Sequence, residues 1–260
     1  MMNVLSLDQV TTAPWGTTLL QNIDLKLDEG EILGIIGPNG AGKTSLLYTL
    51  LGDILPTQGS IDLMGKPIDD WKPGARAEVV ASLPQFSLLN FPYTVEEVIM
   101  LGRTPHGTGL KADRHIIKEV MKATDTARLE TRIYTQLSGG EKQRVQIARV
   151  FAQIWREEDR KPRLLLLDEP TVALDLAHQQ LILQSLKQLS DSGCSIVVVS
   201  HDFNLMTVIA DKITALRDGV QLAHGLPASV LTESIFDRVF DAEVSITSHP
   251  VTKRPVVISL

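Results

Sequence analysis

The sequence predicts a mixed α/β chain in which an α/β core is interrupted by a helical insertion. Three short runs, at residues 32–36, 164–167 and 196–199, are continuously apolar, as parallel strands buried on both faces are. Between residues 86 and 158 such runs disappear, and apolar residues recur at helical spacing instead. Strand patterns then return, so the helical segment is expected inside the core rather than after it.

Composition and charge exclude several classes of protein. The 260 residues include 25 Lys and Arg against 31 Asp and Glu, a net charge of −6, so a large non-specific nucleic-acid surface is not expected. Cys194 is the single cysteine, so the chain is not a disulfide-stapled secreted module. No apolar run approaches the roughly 18 residues of a membrane span, and the N-terminus lacks a signal-peptide pattern. We therefore expect a cytoplasmic chain that acts at a membrane only through a partner.

The elements of the first part of the chain are predicted in order. Residues 4–7 and 22–27 alternate apolar with polar side chains, as half-buried antiparallel strands do. After the buried strand at residues 32–36, residues 43–51 have the pattern of a helix. A further short strand pair is expected around residues 59–66.

The insertion and the segment after it are predicted to be mainly helical. Helices are expected at residues 94–101, 113–127 and 140–155, each with apolar residues at helical spacing. A fourth helix, at residues 177–189, separates the second and third buried strands. Such a strand-helix-strand unit favours parallel pairing.

A glycine-rich loop lies between the first buried strand and the first predicted helix. It fits the pattern G-x-x-x-x-G-K-[ST] of a phosphate-binding loop at every position. Glycines let backbone N–H groups close around phosphate oxygens, and the helix N-terminus adds positive partial charge. The lysine reaches the β- and γ-phosphates, and the threonine hydroxyl is a ligand for Mg²⁺. The predicted nucleotide-binding residues are Gly37, Pro38, Asn39, Gly40, Ala41, Gly42, Lys43, Thr44 and Ser45.

Two acidic residues, Asp168 and Glu169, follow the second buried strand directly. In open α/β sheets, ligands collect at the carboxyl ends of the strands. Asp168 is therefore placed to hold Mg²⁺ through its water shell, and Glu169 to polarise an attacking water as general base. An ordinary acidic strand end is the alternative, but the phosphate loop in the same chain favours the functional interpretation.

A second glycine-containing turn, Leu137-Ser138-Gly139-Gly140-Glu141, precedes a predicted helix. Ser138 is a natural N-cap, and the glycines expose backbone N–H groups, which together make a second anion site. With this turn the sequence resembles the ATP-binding-cassette ATPases. In that family the matching turn closes over the γ-phosphate bound to the opposite subunit. The resemblance implies a P-loop NTPase (RecA-like) core with an antiparallel β subdomain and an inserted α-helical subdomain.

The resemblance covers essentially the whole chain and implies one cassette domain over residues 1–260. The nucleotide-binding α/β core would comprise residues 1–85 and 160–260. The helical subdomain, with the turn at residues 137–141, would comprise residues 86–159.

Four further residues match family motifs in the expected order. Gln85 matches the glutamine that contacts Mg²⁺ and the attacking water, and Asp175 matches the D-loop residue that lies across the dimer interface. His201 matches the histidine that senses the γ-phosphate. Trp15 matches the aromatic that stacks on adenine, although it also fits an ordinary core aromatic. The catalytic residues implied by the resemblance are Glu169, His201, Gln85 and Lys43. The implied metal ligands are Thr44, Gln85 and Asp168, and the turn that caps the nucleotide supplies Ser138, Gly139 and Gly140.

Three segments indicate the branch of the family. Residues 91–98 and 101–106, after Gln85, are similar to the corresponding stretch of the iron-siderophore, vitamin B12 and hemin importers. Residues 146–155, together with residues 168–180, and the tail at residues 248–257 are most similar to those of hemin importer ATPases. The resemblance implies ATP and Mg²⁺ as cofactors, and a homodimer in the ATP-bound state. It also implies two transmembrane permease subunits that dock between Phe91 and His106, and a periplasmic substrate-binding protein. The chain would lie on the cytoplasmic face of the inner membrane, with no nucleic-acid partner.

Other functions remain open at this point. Within the family, the ATPase of a ferric-siderophore or vitamin B12 importer is the alternative. From other classes, a soluble cassette protein acting on nucleic acid or the ribosome and a metabolic P-loop kinase are considered, and the turn at residues 137–141 argues against the kinase. His106, His178 and His249 form no ligand cluster in the sequence, so they are not expected to bind heme.

Overall fold

The computed structural model of the chain describes residues 2–85, 89–155 and 162–260. The chain divides into two compact units, the first made of Met1–Trp71 with Ser195–Leu260 and the second of Lys72–Cys194. The expected limits of the helical subdomain, at residues 86 and 159, lie outside the described residues. That subdomain division stays a prediction.

In the described residues the chain forms twelve strands and nine α-helices, numbered here in chain order. The strands are β1 (Asn3–Thr12), β2 (Leu20–Asp28), β3 (Ile32–Ile36), β4 (Gln58–Leu63), β5 (Lys66–Pro67), β6 (Val80–Leu83), β7 (Arg163–Asp168), β8 (Cys194–Val199), β9 (Lys212–Arg217), β10 (Val220–Gly225), β11 (Val244–Ser248) and β12 (Pro255–Ser259). The helices are α1 (Lys43–Leu51), α2 (Pro73–Ala77), α3 (Val95–Met100), α4 (Leu110–Ala123), α5 (Gly139–Ile154), α6 (Leu176–Asp191), α7 (Phe203–Ile209), α8 (Pro227–Val230) and α9 (Glu233–Phe240).

The first unit contains a sheet with the strand order β5-β4-β1-β2-β10-β9-β3-β8. Its outer part, β5-β4-β1-β2, is antiparallel throughout, which confirms the predicted antiparallel subdomain. In its inner part β3 lies between β8 and β9 and runs parallel to both. All five residues of β3 are buried, as its continuous apolar run predicts.

Helix α1 follows β3 and carries the phosphate loop, residues 37–44, at its start. Leu46, Leu47 and Leu50 are buried on one side of the helix. Gly52 ends it in the left-handed conformation (φ 73°), and the Gly52 amide donates to the carbonyl oxygen of Thr49. The helix therefore ends at the glycine, and its buried leucines hold it in the first unit.

The second unit contains a parallel strand pair together with the predicted helices. Strands β6 and β7 run parallel, in register from Val80–Leu164 to Leu83–Leu167, and all six residues of β7 are buried. Helices α3 and α4 pack on α5. A side chain at Gly102 would meet the carbonyl oxygen of Arg149 at 2.1 Å, so only glycine fits at this crossing.

Helix α4 differs from the prediction of 113–127 at both ends. It begins at Leu110, because residues 110–112 continue the helical pattern after Gly109. It ends at Ala123, because the Thr124 hydroxyl donates to the carbonyl oxygen of Val120 at 2.9 Å and Asp125 turns left-handed (φ 49°). None of the helices in the described part of the chain is long and apolar enough to cross a membrane.

Candidate nucleotide-binding site

The phosphate loop holds its lysine against its own backbone. Lys43, the first residue of α1, is buried, and its Nζ donates to the carbonyl oxygens of Gly37 and Pro38, each at 2.8 Å. The next residue, Thr44, has an exposed side chain. The ammonium group is thus fixed at the loop, while the hydroxyl-bearing residue faces outward.

Glycine is required at the two ends of the phosphate loop for different reasons. At Gly37 a Cβ would lie 2.3 Å from the carbonyl oxygen of Leu216, which backbone packing does not permit. At Gly42 the backbone is left-handed (φ 97°), and a Cβ would contact Leu20 and Leu19. At Gly40 a Cβ would meet nothing within 4 Å, although φ is 80°. The outer part of the loop is therefore open, as a phosphate cradle must be.

Trp15 lies in the connection between β1 and β2 and is 80% exposed. Its alternative assignment as a core aromatic is wrong. The same connection reaches Leu19, whose carbonyl oxygen lies against Gly42 of the phosphate loop. An exposed indole offers an aromatic face for stacking, and its N–H remains a polar group.

His201 follows β8 at the same sheet edge as the phosphate loop. Strands β3 and β8 are parallel and in register up to Ile35–Val199, so both chains leave the sheet at this edge. Asp202 holds the turn, because its amide donates to Ser200 Oγ at 3.0 Å and its carboxylate caps α7 through the Leu205 amide at 2.9 Å. The first unit thus brings the phosphate loop and His201 to one edge.

Asp168 and Glu169 lie at the carboxyl end of β7, and both are buried. Glu169 adopts a left-handed backbone conformation (φ 51°), which is strained for a residue with a Cβ. Gln85 follows the parallel strand β6 by two residues and is exposed. The second unit therefore brings the predicted glutamine and the two carboxylates to one end of a parallel strand pair.

The loop between β7 and α6, residues 169–175, is held by the start of α5. The Gln143 side chain donates to the carbonyl oxygen of Pro170 at 3.1 Å and to that of Glu169 at 3.4 Å. At Gly140 a Cβ would lie 2.8 Å from the carbonyl oxygen of Ala173, so the helix approaches this loop closely. Gly140, one of the two glycines predicted to bind an anion, therefore also serves this contact.

The signature turn, residues 137–141, forms a complete capping box on α5. Ser138 Oγ accepts from the Glu141 amide at 3.4 Å, and the Glu141 carboxylate accepts from the Ser138 amide at 2.9 Å. Arg132 adds an ion pair to Glu141 at 3.0 Å. Hydrogen bonds from the Ser138 backbone and hydroxyl hold the pKa of Glu141 below its ordinary value. A Cβ at Gly139 would meet nothing within 4 Å, so this face of the turn is open.

Asp175 caps α6 at the other end of the β7–α6 loop. Its Oδ1 accepts from the His178 amide at 2.9 Å and lies 2.8 Å from His178 Nδ1. The hydrogen bond from the His178 backbone is the main reason why the pKa of Asp175 is lowered. The D-loop residue is therefore an N-cap with a histidine partner.

The predicted metal donors have the chemistry that Mg²⁺ requires. Thr44, Gln85 and Asp168 offer a hydroxyl, an amide and a carboxylate oxygen. Among the described residues, no group of three or more His, Cys, Asp or Glu side chains could hold a metal. Mg²⁺ is typically bound through one or two carboxylates, waters and substrate phosphates rather than by an all-protein cage. Each of these donors is of a chemical type that suits a magnesium–nucleotide complex.

Each predicted site residue therefore has a defined place. The first unit contains the phosphate loop, Trp15 and His201, and the second contains Gln85, Asp168, Glu169, Asp175 and the signature turn. Sequence reasoning missed Gln143, although it lies three residues after Gly140 and so on the same helix face. It also missed the contacts of Asp125, Arg144 and His178, which join segments far apart in the sequence.

The three histidines that the sequence does not predict to bind heme have protein contacts. His106 Nε2 contacts the carbonyl oxygen of Gln153 at 2.6 Å, and His178 contacts Asp175. His249 Nδ1 accepts from the amides of Val251 and Thr252. Each of the three therefore has a structural contact within its own compact unit.

A phosphate loop after a buried parallel strand, with acidic residues at the end of another, defines a P-loop NTPase. The chain belongs to the ABC transporter family, whose family model matches residues 20–172. It is an ATP-hydrolysing transporter subunit and binds nucleotide. The signature turn lies within the matched region.

Relatives and solved structures agree with this family over nearly the whole chain. The hemin import ATP-binding protein HmuV of Gloeobacter violaceus is 47% identical, covering 94% of this chain and 90% of that protein. The protein of the same name from Pseudomonas aeruginosa is 40% identical, covering 98% and 100%. A metal-chelate type ABC transporter in an inward-facing conformation matches with TM-score 0.81 and 27% identity, covering 100% and 98%. A dimeric ATP-binding cassette with bound ADP and phosphate matches with TM-score 0.74 and 28% identity, covering 86% and 98%.

Proposed function

We propose that the chain is the ATP-hydrolysing subunit of an ABC import complex that takes up hemin across the inner membrane. The proposal of hemin as the cargo rests on the 40–47% identity, over nearly the full length, to proteins named for hemin import. The nucleotide site alone does not select a cargo, because importers and exporters of the family share its motifs. Ferric siderophore and vitamin B12 remain the alternatives within the importers.

ATP binds through the backbone of the phosphate loop and through Lys43. The ammonium group, now held by two loop carbonyls at 2.8 Å, exchanges these partners for phosphate oxygens. Trp15 stacks on the adenine, which its exposure supports. Thr44, Gln85 and Asp168 would hold Mg²⁺ when it is bound, and the ion would supply positive charge to the phosphates.

Glu169 acts as the general base towards water, and His201 stabilises the charge that develops on the γ-phosphate. Two features support the role of Glu169. Its side chain is buried at the end of β7, and its strained backbone is held by the Gln143 bond. A buried carboxylate in a fixed orientation can position water without reorganising during the reaction.

A second copy of the chain completes each site in the ATP-bound state. Ser138, Gly139 and Gly140 of one copy cap the γ-phosphate bound to the other, and Asp175 lies across the interface. The open face at Gly139 and the helix N-terminus behind it supply the anion-binding groups. Dimeric cassettes among the similar structures support this arrangement.

The permease subunits dock on the segment between Phe91 and His106. Phe91 is 65% and Tyr93 is 41% exposed, and their ring centroids lie 6.0 Å apart. Leu101 is exposed nearby in the chain. Exposed aromatic groups of this kind mark protein interaction sites. Docking to two permeases places the chain on the cytoplasmic face of the inner membrane, and a periplasmic binding protein delivers the hemin.

Reconstitution tests the proposal. The chain is assembled with its permease in proteoliposomes with ATP on the side of the chain, and hemin, a ferric siderophore and vitamin B12 are each supplied on their binding protein. We expect hemin uptake that stops with Lys43→Ala. Uptake of a siderophore or vitamin B12 but not of hemin would overturn the assignment of hemin as the cargo. ATPase activity that responds to nucleic acid or ribosomes, and not to the permease, would favour the soluble class.

A further inference from the structure

His178 joins two segments of the second unit that are far apart in the sequence. It lies in the first turn of α6, and each of its ring nitrogens faces a carboxylate. Nδ1 is 2.8 Å from Asp175 Oδ1, and Nε2 is 3.3 Å from Asp125 Oδ2. The side chain is 24% exposed, so the imidazole is held at the edge of the unit rather than in open solvent.

Asp125 connects His178 to helix α5. It follows α4 in a left-handed conformation (φ 49°). Its carbonyl and its carboxylate both accept from Arg144 Nη1, at 2.5 and 2.8 Å. The Arg144 side chain is only 3% exposed, and Arg128 lies at 3.7 Å on the outer side. Burial raises the pKa of Asp125, but the hydrogen bonds from His178 and Arg144 outweigh it and lower the pKa.

Two consecutive residues of α5 therefore reach both ends of the β7–α6 loop. Gln143 donates directly to the carbonyl oxygens of Glu169 and Pro170 at the first end. Arg144 reaches Asp175 at the second end through Asp125 and His178. The helix that begins at the signature turn is thus linked by polar contacts to both ends of the loop.

We propose that His178 is a positioning residue that fixes Asp175 to helix α5. Asp175 and the signature turn are then held in a fixed arrangement, and both face the nucleotide bound to the second copy. The inference rests on the proposed function, because it takes Asp175 and the signature turn to serve that nucleotide. Within the described residues, the polar partners of the His178 ring are Asp175 and Asp125, so it acts through them.

The chemistry of the imidazole suits this role. A neutral imidazole has a single N–H, whereas the charged ring donates from both nitrogens. Both carboxylates can accept a hydrogen bond only when both nitrogens carry a proton. An asparagine at this position can donate to Asp175 but is too short to bridge to Asp125 as well. The pair of variants His178→Ala and His178→Asn therefore separates a bridge from a local helix cap.

The test is a double-mutant cycle on ATP turnover in the complete complex with its permease. We expect His178→Ala and Asp125→Ala each to lower kcat about fivefold, with KM for ATP changed by less than about twofold. The double variant should be no slower than Asp125→Ala alone, because Asp125→Ala already removes the link through His178. His178→Asn should be as slow as His178→Ala. His249→Ala, which removes another exposed imidazole with local contacts only, should turn over like the parent.

Several outcomes would overturn the inference. Additive losses in the double variant, recovery in His178→Asn, or unchanged turnover in His178→Ala would each do so. Thermal unfolding of every variant shows whether a loss merely reflects unfolding, and Asp125→Asn repeats the test with nearly unchanged shape. Failure of the proposed function looks different, because the parent complex would then lack hemin uptake or ATP turnover before any substitution is made.

Discussion

The backbone of Glu169 is strained at the position where its side chain is proposed to act on water. A non-glycine residue in the left-handed region costs about 1 kcal/mol or more, and such residues persist when their surroundings determine them. Here Gln143 holds the carbonyl of Glu169 on one side, and burial holds its side chain on the other. The conformation aims a carboxylate from the end of β7, and it follows from the contacts of the loop rather than from β7 itself.

Glu169→Gln tests the role of this carboxylate with almost no change of shape. The amide cannot accept the proton of water, so we expect ATP binding to persist while hydrolysis falls at least about 100-fold. The variant should accumulate as an ATP-bound dimer in size-exclusion chromatography. Normal turnover in this variant would refute the general-base assignment, and a loss of ATP binding would point to a distorted site instead.

Two glycines of the phosphate loop allow the effect of a packing clash to be distinguished from that of backbone strain. Gly37→Ala would place a Cβ 2.3 Å from the carbonyl oxygen of Leu216, whereas Gly40→Ala would meet nothing. We expect Gly37→Ala to destabilise the nucleotide-free protein by more than about 2 kcal/mol. The matched variant Gly40→Ala should cost about 1 kcal/mol, from its φ alone. Urea unfolding without nucleotide measures both, and equal losses would contradict the packing argument.

The capping box of α5 makes a contribution to stability that depends on pH. The pKa of Glu141 is lowered in the folded chain, first by the hydrogen bond from the Ser138 backbone. Its contribution is therefore present above the unfolded pKa, about 4.3, and is lost as the pH falls through the lower folded value. Stability therefore falls as the pH falls, because the folded state favours the ionised carboxylate of Glu141 over its protonated form.

Glu141→Gln tests this dependence. We expect the variant to be less stable than the parent at pH 7, by about 1 kcal/mol or less. The difference should shrink below about pH 4, where the parent glutamate also becomes neutral. Denaturant unfolding at several pH values measures it. Glu29→Gln, in an exposed turn, is the control, and a stability difference that is independent of pH would contradict the carboxylate's role.

Local signals predicted the elements best where a cap or a buried run is present. Ser138 placed the start of α5 within one residue, and the apolar run placed β7. The end of α4 was missed because Asp125 turns left-handed to meet Arg144, 19 residues further on. Strands β11 and β12 are only partly buried and pair with each other, so they carry no strong pattern.

Motifs supplied the predicted site residues, but they did not predict the contacts that hold the loops of the site. His178 and Asp125 are 53 residues apart, and Gln143 reaches Pro170 across 27. Such pairs depend on how helices pack, which single-sequence periodicity does not encode. The exposure of Trp15 could not be predicted either, because the sequence of a turn does not show whether its aromatic side chain is buried.

At the scale of the whole molecule, the exposed rings of Phe91 and Tyr93 are unusual because they lie together. Isolated exposed apolar residues are normal on a protein surface, whereas adjacent aromatic groups provide the rigid contact area that interfaces use. Directly after them in the chain, Val95, Val98 and Ile99 of α3 are buried, and a capping box at Thr94 fixes the start of that helix. The two rings therefore lie in the segment that leads into a well-packed helix.

Phe91→Ser tests whether this surface receives the permease. Because a central aromatic contact is worth about 2 kcal/mol or more, we expect the affinity for the permease to fall at least about 30-fold. Co-purification from detergent and binding to permease-containing nanodiscs measure it. Leu226→Ser is the matched control, since Leu226 is also 65% exposed but lies in the first unit. If Leu226→Ser weakens binding and Phe91→Ser does not, the docking surface lies elsewhere on the chain.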